Sequence, residues 1–197
     1  MRTLALIGLM ACGSTEPPPA PPAAAELQPE VGAPAEAARL YDLSFTLEGM
    51  DGKELGIDYF KGSPVIMAMF YASCPQACPL LIGKLQSIDA KLPADQRQNL
   101  RVLLISMDPD RDTPQALADS FATYNLDAGR WKMARPRPQD VRTLAALLDV
   151  RYKQSANGEF SHNSGVTVVD REGHIRLRVE GLASEEARVT ELLTQML

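Results

Sequence analysis

The sequence lacks three features that would each define a class of protein: an excess of basic residues, a long apolar run and a large set of cysteines. Its 197 residues carry 20 Lys and Arg against 25 Asp and Glu, and the cations are scattered, so no basic stripe could neutralise nucleic-acid phosphates. No apolar run approaches the roughly 20 residues that a membrane-spanning helix needs. We therefore expect neither nucleic-acid binding nor a helix that crosses a bilayer.

Cysteine is scarce, and its positions divide into the isolated Cys12 and the close pair Cys74 and Cys78. With 45% hydrophobic residues, the chain has the composition of a globular protein with one domain and appendages. A domain of about 150 residues buries roughly 70% of its unfolded surface and needs no disulfide to fold. The close pair is therefore a candidate for chemistry rather than for stabilisation.

The isolated Cys12 follows a segment with the features of an export signal. Arg2 supplies a positive charge, residues 3–11 form a short apolar run, and small or apolar residues stand just before the cysteine. This stretch resembles the lipobox of bacterial lipoproteins, in which the cysteine is acylated and becomes the mature N-terminus. The resemblance implies a signal peptide over residues 1–11 and an exported protein, lipid-anchored at Cys12 to a bacterial membrane and facing the periplasm or the cell exterior. An ordinary N-terminus is the alternative.

The next segment, residues 12–38, is rich in Pro, Ala and Glu and includes the run Pro-Pro-Pro-Ala-Pro-Pro at 17–22. Such a composition cannot form a core. It predicts a disordered, semi-rigid tether that spans about 30 Å as a coil and up to about 80 Å as polyproline II. The folded domain is expected over residues 39–197.

Within that domain the apolar pattern predicts alternating strands and helices. Continuous apolar runs at 65–71 and 102–106 are typical of strands covered on both faces, and leucine and isoleucine recur at helical spacing over 79–92. The other predicted elements are hairpins at 43–58 and 166–179, the second with an edge strand, and helices at 114–124, 138–148 and 184–197. This order predicts an α/β fold, namely a thioredoxin-like sandwich with a central mixed sheet and an N-terminal β-hairpin addition.

The pair Cys74 and Cys78 lies directly after the first buried strand, where open α/β sheets place their ligand sites. Four residues of helix rise about 6 Å and return to nearly the same face, so both sulfurs can reach one point or each other. Pro79 cannot donate a hydrogen bond back to residue 75, which predicts a loop over the pair and regular helix from Pro79 onwards. The adjoining helix N-terminus should lower the pKa of the thiols below the free value of about 8.5.

Two thiolates favour soft or borderline metals, namely Cu(I), Zn or an iron-sulfur cluster, but two ligands do not complete a site. The chain has 2 histidines. His162 comes just before an apolar strand, in a segment that faces the cysteines in a thioredoxin-like sheet, and it is the candidate third ligand. His174 follows a Glu-Gly turn and is expected at the surface. Met67, Met69 and Met107 could offer thioethers, but their strand positions favour the core.

Three motifs follow one another along the domain: Cys-Pro-Gln-Ala-Cys-Pro at 74–79, Asp-Pro-Asp-Arg-Asp-Thr-Pro at 108–114, and His162 followed by an apolar strand and Asp-Arg-Glu-Gly at 170–173. Together they resemble the SCO/SenC family of copper proteins that serve cytochrome oxidase assembly, over roughly residues 41–181. The resemblance implies a thioredoxin-like fold and one copper ion, as Cu(I) or Cu(II), bound by Cys74, Cys78 and His162. It implies as partner an apo copper subunit of a respiratory oxidase or another periplasmic copper carrier.

Two positions depart from the family pattern. The family commonly has an acidic residue between the cysteines and another just before the histidine, where this chain has Gln76 and Ser161. Both positions thereby lose negative charge, which would weaken the binding of Cu(II) more than that of Cu(I). The acidic segment at 108–112 is interpreted as loop geometry and helix capping rather than as a hard-metal site, because Arg111 and prolines interrupt it.

The main alternative function is a periplasmic thiol-disulfide oxidoreductase with Cys74 and Cys78 as its redox pair, since their spacing permits a disulfide. Such enzymes resemble one another in having a cis proline opposite the cysteines, whereas here no proline follows Pro138 and His162 takes the facing position. The two functions are compatible, because thiolates bind copper only when reduced. We predict a membrane-tethered copper chaperone or assembly factor that loses its copper on forming the Cys74–Cys78 disulfide; whether it is also an enzyme stays open.

Overall fold

The computed structural model describes residues 39–155 and 158–197, so the predicted signal peptide, lipidation site and tether of residues 1–38 lie outside the described residues. The strands are β1 (Thr46–Gly49), β2 (Glu54–Gly56), β3 (Val65–Phe70), β4 (Arg101–Ser106), β5 (Trp131–Pro136), β6 (Tyr152–Gln154), β7 (Phe160–His162), β8 (Gly165–Val169) and β9 (Ile175–Glu180). The α-helices are α1 (Ala77–Lys91), α2 (Ala94–Arg97), α3 (Pro114–Thr123), α4 (Val141–Leu147) and α5 (Leu182–Met196). Short 3-10 helices span Leu40–Asp42, Ile57–Phe60 and Pro138–Asp140.

A seven-stranded sheet forms the centre of the domain, in the order β2-β1-β5-β4-β3-β8-β9. Strands β3, β4 and β5 are parallel, whereas β8 runs antiparallel to β3. Every residue of β3 is buried, as the continuous apolar run predicts for a strand covered on both faces. The predicted α/β fold with a central mixed sheet is confirmed.

The two predicted hairpins lie at opposite edges of this sheet. At one edge β1 pairs with β2 and also with β5, so the N-terminal hairpin extends the sheet. At the other edge β9 pairs with β8. The alternation along β9 buries Leu177 and Val179 and leaves Arg176 and Arg178 exposed, as expected of a strand with one solvated face.

Strand β5 and the small β6–β7 sheet are absent from the elements that the sequence predicts. In β5 the bulky Trp131 and Met133 alternate with Lys132, but Ala134 and Arg135 then break the pattern before Pro136 ends the strand. Strands β6 and β7 have three residues each, which is too short for a period of two to be recognised. They form a separate sheet, with Tyr152 opposite His162.

Helix α1 begins at Ala77, two residues before the predicted start at Pro79. Proline is tolerated in the first turn because the first N–H groups of a helix have no partner within it. Cys78 is consequently the second residue of the helix rather than part of a loop. Within residues 39–155 and 158–197, none of the helices combines the length and the apolar character that crossing a membrane requires.

Candidate metal centre

The two cysteines follow β3 at the carboxyl end of the parallel strands. The amide of Cys74 donates to the carbonyl oxygen of Tyr71 at 3.2 Å, which turns the chain back toward the sheet. The amide of Cys78 then donates to Cys74 Sγ at 3.3 Å, so the first sulfur accepts an otherwise unpaired N–H of helix α1. Both residues are free cysteines, and the side chains are buried, with 8% of Cys74 and 2% of Cys78 exposed.

His162 is brought to the cysteines by the direction of β8. Because β8 is antiparallel to β3, with Val166 paired to Ala68, the residues just before β8 lie beside the end of β3. His162 Nδ1 lies 2.9 Å from the carbonyl oxygen of Asn163. A carbonyl can only accept, so Nδ1 carries the hydrogen and the lone pair of the neutral ring lies on Nε2.

The three predicted ligands converge on one point. One donor atom from each of Cys74, Cys78 and His162 lies within 4.8 Å of the other two. Donors bound to one ion at about 2.1 to 2.3 Å lie roughly 4 Å apart, so small side-chain movements suffice to enclose a metal. His162 Nε2 is buried and has no hydrogen-bond partner among the described residues, which is the state expected of a ligand atom whose partner is an ion.

The two thiols have opposite electrostatic environments. Burial alone would raise the pKa of Cys74, but hydrogen bonds with Cys78, the Gln76 amide and the Tyr71 hydroxyl outweigh it and lower that pKa. Burial raises the pKa of Cys78 far above its ordinary value, and the adjacent Cys74 adds to this effect. The predicted lowering of the thiol pKa is thus confirmed for Cys74 and wrong for Cys78, where loss of hydration dominates.

Tyr71, the last residue of the apolar run at 65–71, is a site residue that was not among the predicted ligands. Its ring contacts the His162 ring edge to face, with centroids 6.1 Å apart, and lies 5.2 Å from the Phe160 ring. Burial and the hydrogen bond to Cys74 raise the pKa of its hydroxyl. Tyr71 therefore touches both the cysteine and the histidine side of the site. The only signal in the sequence is its place as the one polar-tipped residue at the end of an apolar strand.

Asp112 is a second residue whose role emerges only in the structure. Its two carboxylate oxygens each lie 3.1 Å from the amide of Ala72, and Ser106 Oγ donates to it at 2.6 Å. Burial raises the pKa of Asp112, although the hydrogen bonds from Ser106 and Ala72 oppose that rise. The interpretation of residues 108–112 as a structural loop is confirmed, and Thr113, just before Pro114, caps α3 by accepting the amide of Ala116.

The remaining sequence candidates lie where they were expected. Met67, Met69 and Met107 are buried in the core, with at most 2% of each exposed. His174 is about one third exposed and lies near Asp170 and Glu172, with one ligand atom of each within 4.8 Å. Asp170 already accepts from Arg176 and from two backbone amides, so its carboxylate is engaged in the turn. Gln76 and Ser161 are both exposed, at the rim of the metal centre.

The mixed sheet, with a dithiol and an imidazole converging at the end of β3, defines a thioredoxin-like domain with the donor set of a soft-metal site. The chain belongs to the SCO1/SenC family, whose model matches residues 33–197. A Stutzerimonas stutzeri protein whose name refers to copper binding is 31% identical over 131 residues, which are 62% of this chain and 63% of that protein. The chain thus spans less than two thirds of that relative's length.

Solved structures of the same family share the fold. The apo Sco1 protein of Thermus thermophilus is 26% identical, with a TM-score of 0.64 over 78% of this chain and 90% of that one. Bradyrhizobium japonicum ScoI, solved with copper bound, is 20% identical, with a TM-score of 0.65 over 78% of this chain and 97% of that one. The thioredoxin-like fold predicted from the sequence is confirmed by these likenesses.

Proposed function

We propose that this chain is a copper-binding assembly protein that holds one copper ion as cargo through Cys74 Sγ, Cys78 Sγ and His162 Nε2. The observation that carries the proposal is the convergence of three donor atoms within 4.8 Å, one of them a buried imidazole nitrogen without a partner among the described residues. Thiolate and imidazole are ligands that suit copper. The copper-bound ScoI structure and the relative named for copper binding support the choice of metal.

The surroundings of the site favour the reduced ion. With two thiolate ligands, bound Cu(I) leaves a net charge of −1 and bound Cu(II) leaves none, so the preference between the two ions depends on nearby charges, and the uncharged Gln76 and Ser161 add no anion there. Nearby carboxylates would stabilise Cu(II) more than Cu(I), so their absence at these positions favours Cu(I). The cargo is released or refused when a disulfide-containing oxidant accepts two electrons from the pair: the Cys74–Cys78 disulfide forms, the oxidant is reduced to two thiols with protons from the free cysteine thiols or, for copper-bound thiolates, from water, and both sulfur ligands are lost.

Delivery is the second half of the proposal. The recipient is the apo copper subunit of a respiratory oxidase, or another copper carrier of the same compartment. We place the protein outside the cytoplasm, with residues 1–11 as the signal peptide, an acylated Cys12 and residues 12–38 as the tether of the domain at 39–197. The lipobox-like residues before Cys12 and the proline-rich run support this arrangement.

Copper stoichiometry tests the proposal directly. The reduced protein is loaded with Cu(I), freed of excess metal and analysed for copper per chain; we expect one ion. Cys74→Ala, Cys78→Ala and His162→Ala should each lose stoichiometric copper, whereas His174→Ala, the matched histidine control, should retain it. If the His162→Ala protein takes up as much copper as the unaltered protein, the imidazole is not a ligand and the proposed ligand set is wrong.

Thiol-disulfide exchange is the second candidate function, favoured by the opposite pKa shifts of the two thiols. A thiol of lowered pKa is the better attacking group near neutral pH, and a neighbouring thiol of raised pKa stays protonated until it is needed. Reduction of insulin, or repair of a scrambled disulfide protein, at a substantial rate would support this function. Copper binding without such activity would limit the protein to metal handling.

A further inference from the structure

The loop between β4 and α3 contacts both chain segments that carry the metal ligands. We call the segment at 70–78 the cysteine arm, and residues 152–155 and 158–163, which include β6 and β7, the histidine arm. Asp108 and Asp112 of the loop are buried, with 5% and 1% exposed, and backbone hydrogen bonds from the amides of Arg111 and Asp112 to the Asp108 carbonyl fold the loop tightly. A rigid loop in this position can fix the distance between the two arms.

Asp112 holds the cysteine arm. Its carboxylate accepts the amide of Ala72, two residues before Cys74, and it is itself fixed by the hydroxyl of Ser106 at the end of β4. The same hydroxyl accepts the amide of Asp108 at 2.9 Å. The cysteine arm is thereby connected to the end of β4 through part-buried hydrogen bonds at Ala72 and a buried one at Ser106.

Arg111 holds the histidine arm. Its guanidinium pairs with the Asp108 carboxylate through Nε and donates to the carbonyl oxygen of Gly158 through a terminal nitrogen. The same group lies over the Phe160 ring, with its central carbon 6.0 Å from the ring centroid. Phe160 and His162 are two residues apart on β7, so their side chains share one face of the strand.

Gly158 is suited to this contact by its lack of a side chain. Its φ of +82° lies in the region that favours glycine, and a Cβ at this position would lie 3.0 Å from an Arg111 terminal nitrogen. A side chain at 158 would be strained by this φ and would require the guanidinium to shift away from the backbone. Glycine at position 158 thus leaves room for the contact with Arg111.

The histidine arm needs such a support, because it is not part of the central sheet. Among residues 39–155 and 158–197, strands β6 and β7 pair only with each other, and an isolated two-stranded ribbon is at best marginally stable in water. Other contacts of the arm include the tilted packing of the Phe160 ring against Tyr71 and the hydrogen bonds of the Asn163 side chain with the Arg151 amide and the Asp149 carbonyl. Arg111 supplies the direct polar connection from the β4–α3 loop.

We propose that Arg111 is a positioning residue for the metal site, which sets the place of His162 relative to the cysteine pair through Gly158 and Phe160. This inference rests on the proposed function, since it concerns the same site. It extends that function by assigning the geometry of the site to a side chain that is not a ligand. Groups that orient metal ligands without binding the ion typically contribute tenfold to a hundredfold in metal affinity.

The test compares Arg111→Ala and Arg111→Lys with the matched control Arg176→Ala. Arg176 is a half-exposed arginine paired with the buried Asp170, just as Arg111 is paired with Asp108, but it lies on the edge strand β9. In the metal-free protein we expect Arg111→Ala to shift and broaden the NMR signals of the His162 ring, and Arg176→Ala to leave them unchanged. Lysine retains a positive charge opposite Asp108 but lacks the forked guanidinium that reaches Gly158. Arg111→Lys should therefore be more thermally stable than Arg111→Ala but show the same altered His162 ring signals.

Copper affinity then separates the two proposals. In the reduced protein, Arg111→Ala should weaken Cu(I) binding about tenfold to a hundredfold in competition with a chromophoric chelator. In a His162→Ala background the same change should have no further effect, because its action passes through His162. Unchanged ring signals in the metal-free Arg111→Ala protein, or an equal loss of affinity in both backgrounds, would overturn the inference. Absence of copper binding by the unaltered protein would contradict the proposed function alone, and the NMR result would still decide the role of Arg111.

Discussion

At the scale of single residues, Cys74 and Cys78 are identical side chains four positions apart, yet their surroundings shift the pKa of the two thiols in opposite directions. Cys74 accepts the helix amide and the Tyr71 hydroxyl, which stabilise its thiolate. Cys78 is turned into the core and loses its hydration. A thiolate beside a neutral thiol is a ready starting state for either copper binding or disulfide exchange, because only one proton remains to be displaced.

This asymmetry predicts the order in which the thiols react with an alkylating agent. In the reduced, metal-free protein, with Cys12→Ser to leave only the pair, iodoacetamide should modify Cys74 first. Because the pKa of Cys74 is lowered, its labelling rate should reach half of its maximum at a pH below that of a free thiol, about 8.5. Peptide mapping by mass spectrometry gives the labelling rate of each cysteine. The measurement runs from about pH 5 to about pH 9, a range that includes the ordinary pKa of a cysteine thiol. Faster labelling of Cys78, or equal rates, would contradict the assigned environments.

At the scale of secondary-structure elements, the elements predicted correctly are those whose apolar residues recur at a regular spacing within the element itself. The runs that became β3 and β4 are apolar throughout, and the spacing of Leu81 and Leu85 marks the buried face of α1. The pairing of His162 with the cysteines was also predictable, because a soft-metal site with two cysteines needs a third donor and the chain has only 2 histidines.

The elements that escaped prediction depend on contacts distant in sequence. Strand β5 is recognised only when β4 and β1 flank it, since Arg135 within it is paired with Glu48 of β1. The β6–β7 sheet is placed by Arg111, 47 residues before Gly158, and no local period reports such a contact. The site residues Tyr71 and Asp112 were missed for the same reason: their partners come from other elements.

The packing of α1 against α5 supplies a prediction about pH. Glu186 of α5 accepts hydrogen bonds from Ser87 at 2.8 Å and Lys91 at 2.6 Å, both on α1, and lies 3.5 Å from Lys84. The hydrogen bonds from Lys91 and Ser87 lower the pKa of Glu186 to about 2. A carboxylate whose folded pKa is depressed stabilises the fold above its unfolded pKa of about 4.3, and this contribution is lost as pH falls toward the folded value.

We therefore expect Glu186→Gln to be less stable than the unaltered protein at pH 7, with the difference shrinking progressively as the pH falls from about 4.5 toward 2. Urea unfolding at several pH values measures it. Glu185→Gln is the matched control, since in the part of the chain that the structure describes Glu185 pairs within α5 itself, with Arg188 at 3.4 Å. A stability difference that is the same at pH 7 and at the lowest pH would show that the charge of Glu186 does not contribute.

At the scale of the whole molecule, the metal centre lies at one end of the central sheet, and the proposed anchor lies far from it along the chain. The proposed tether comprises 27 residues, from 12 to 38, and a proline-rich linker of that length can reach up to about 80 Å. A domain held in this way can present its buried site to a membrane-bound recipient without being fixed in one orientation. The net charge of −5 adds no general attraction to anionic lipid, so the proposed membrane attachment depends on acylation of Cys12.

The dependence on the anchor can be measured by removing it. We expect Cys12→Ser to move the protein from the membrane fraction of the cell to the soluble fraction, because serine at position 12 is not acylated and the protein then has no acyl chain to insert into the bilayer. Cys74→Ser, which changes a cysteine in the folded domain, is the matched control and should remain with the membrane until detergent is added. Two or more acyl chains hold a protein stably whereas one binds only marginally, so partial release of the unaltered protein by dilution would indicate single acylation. Retention of the Cys12→Ser protein in the membrane fraction would show that the attachment lies elsewhere, and the tether would then need a different explanation.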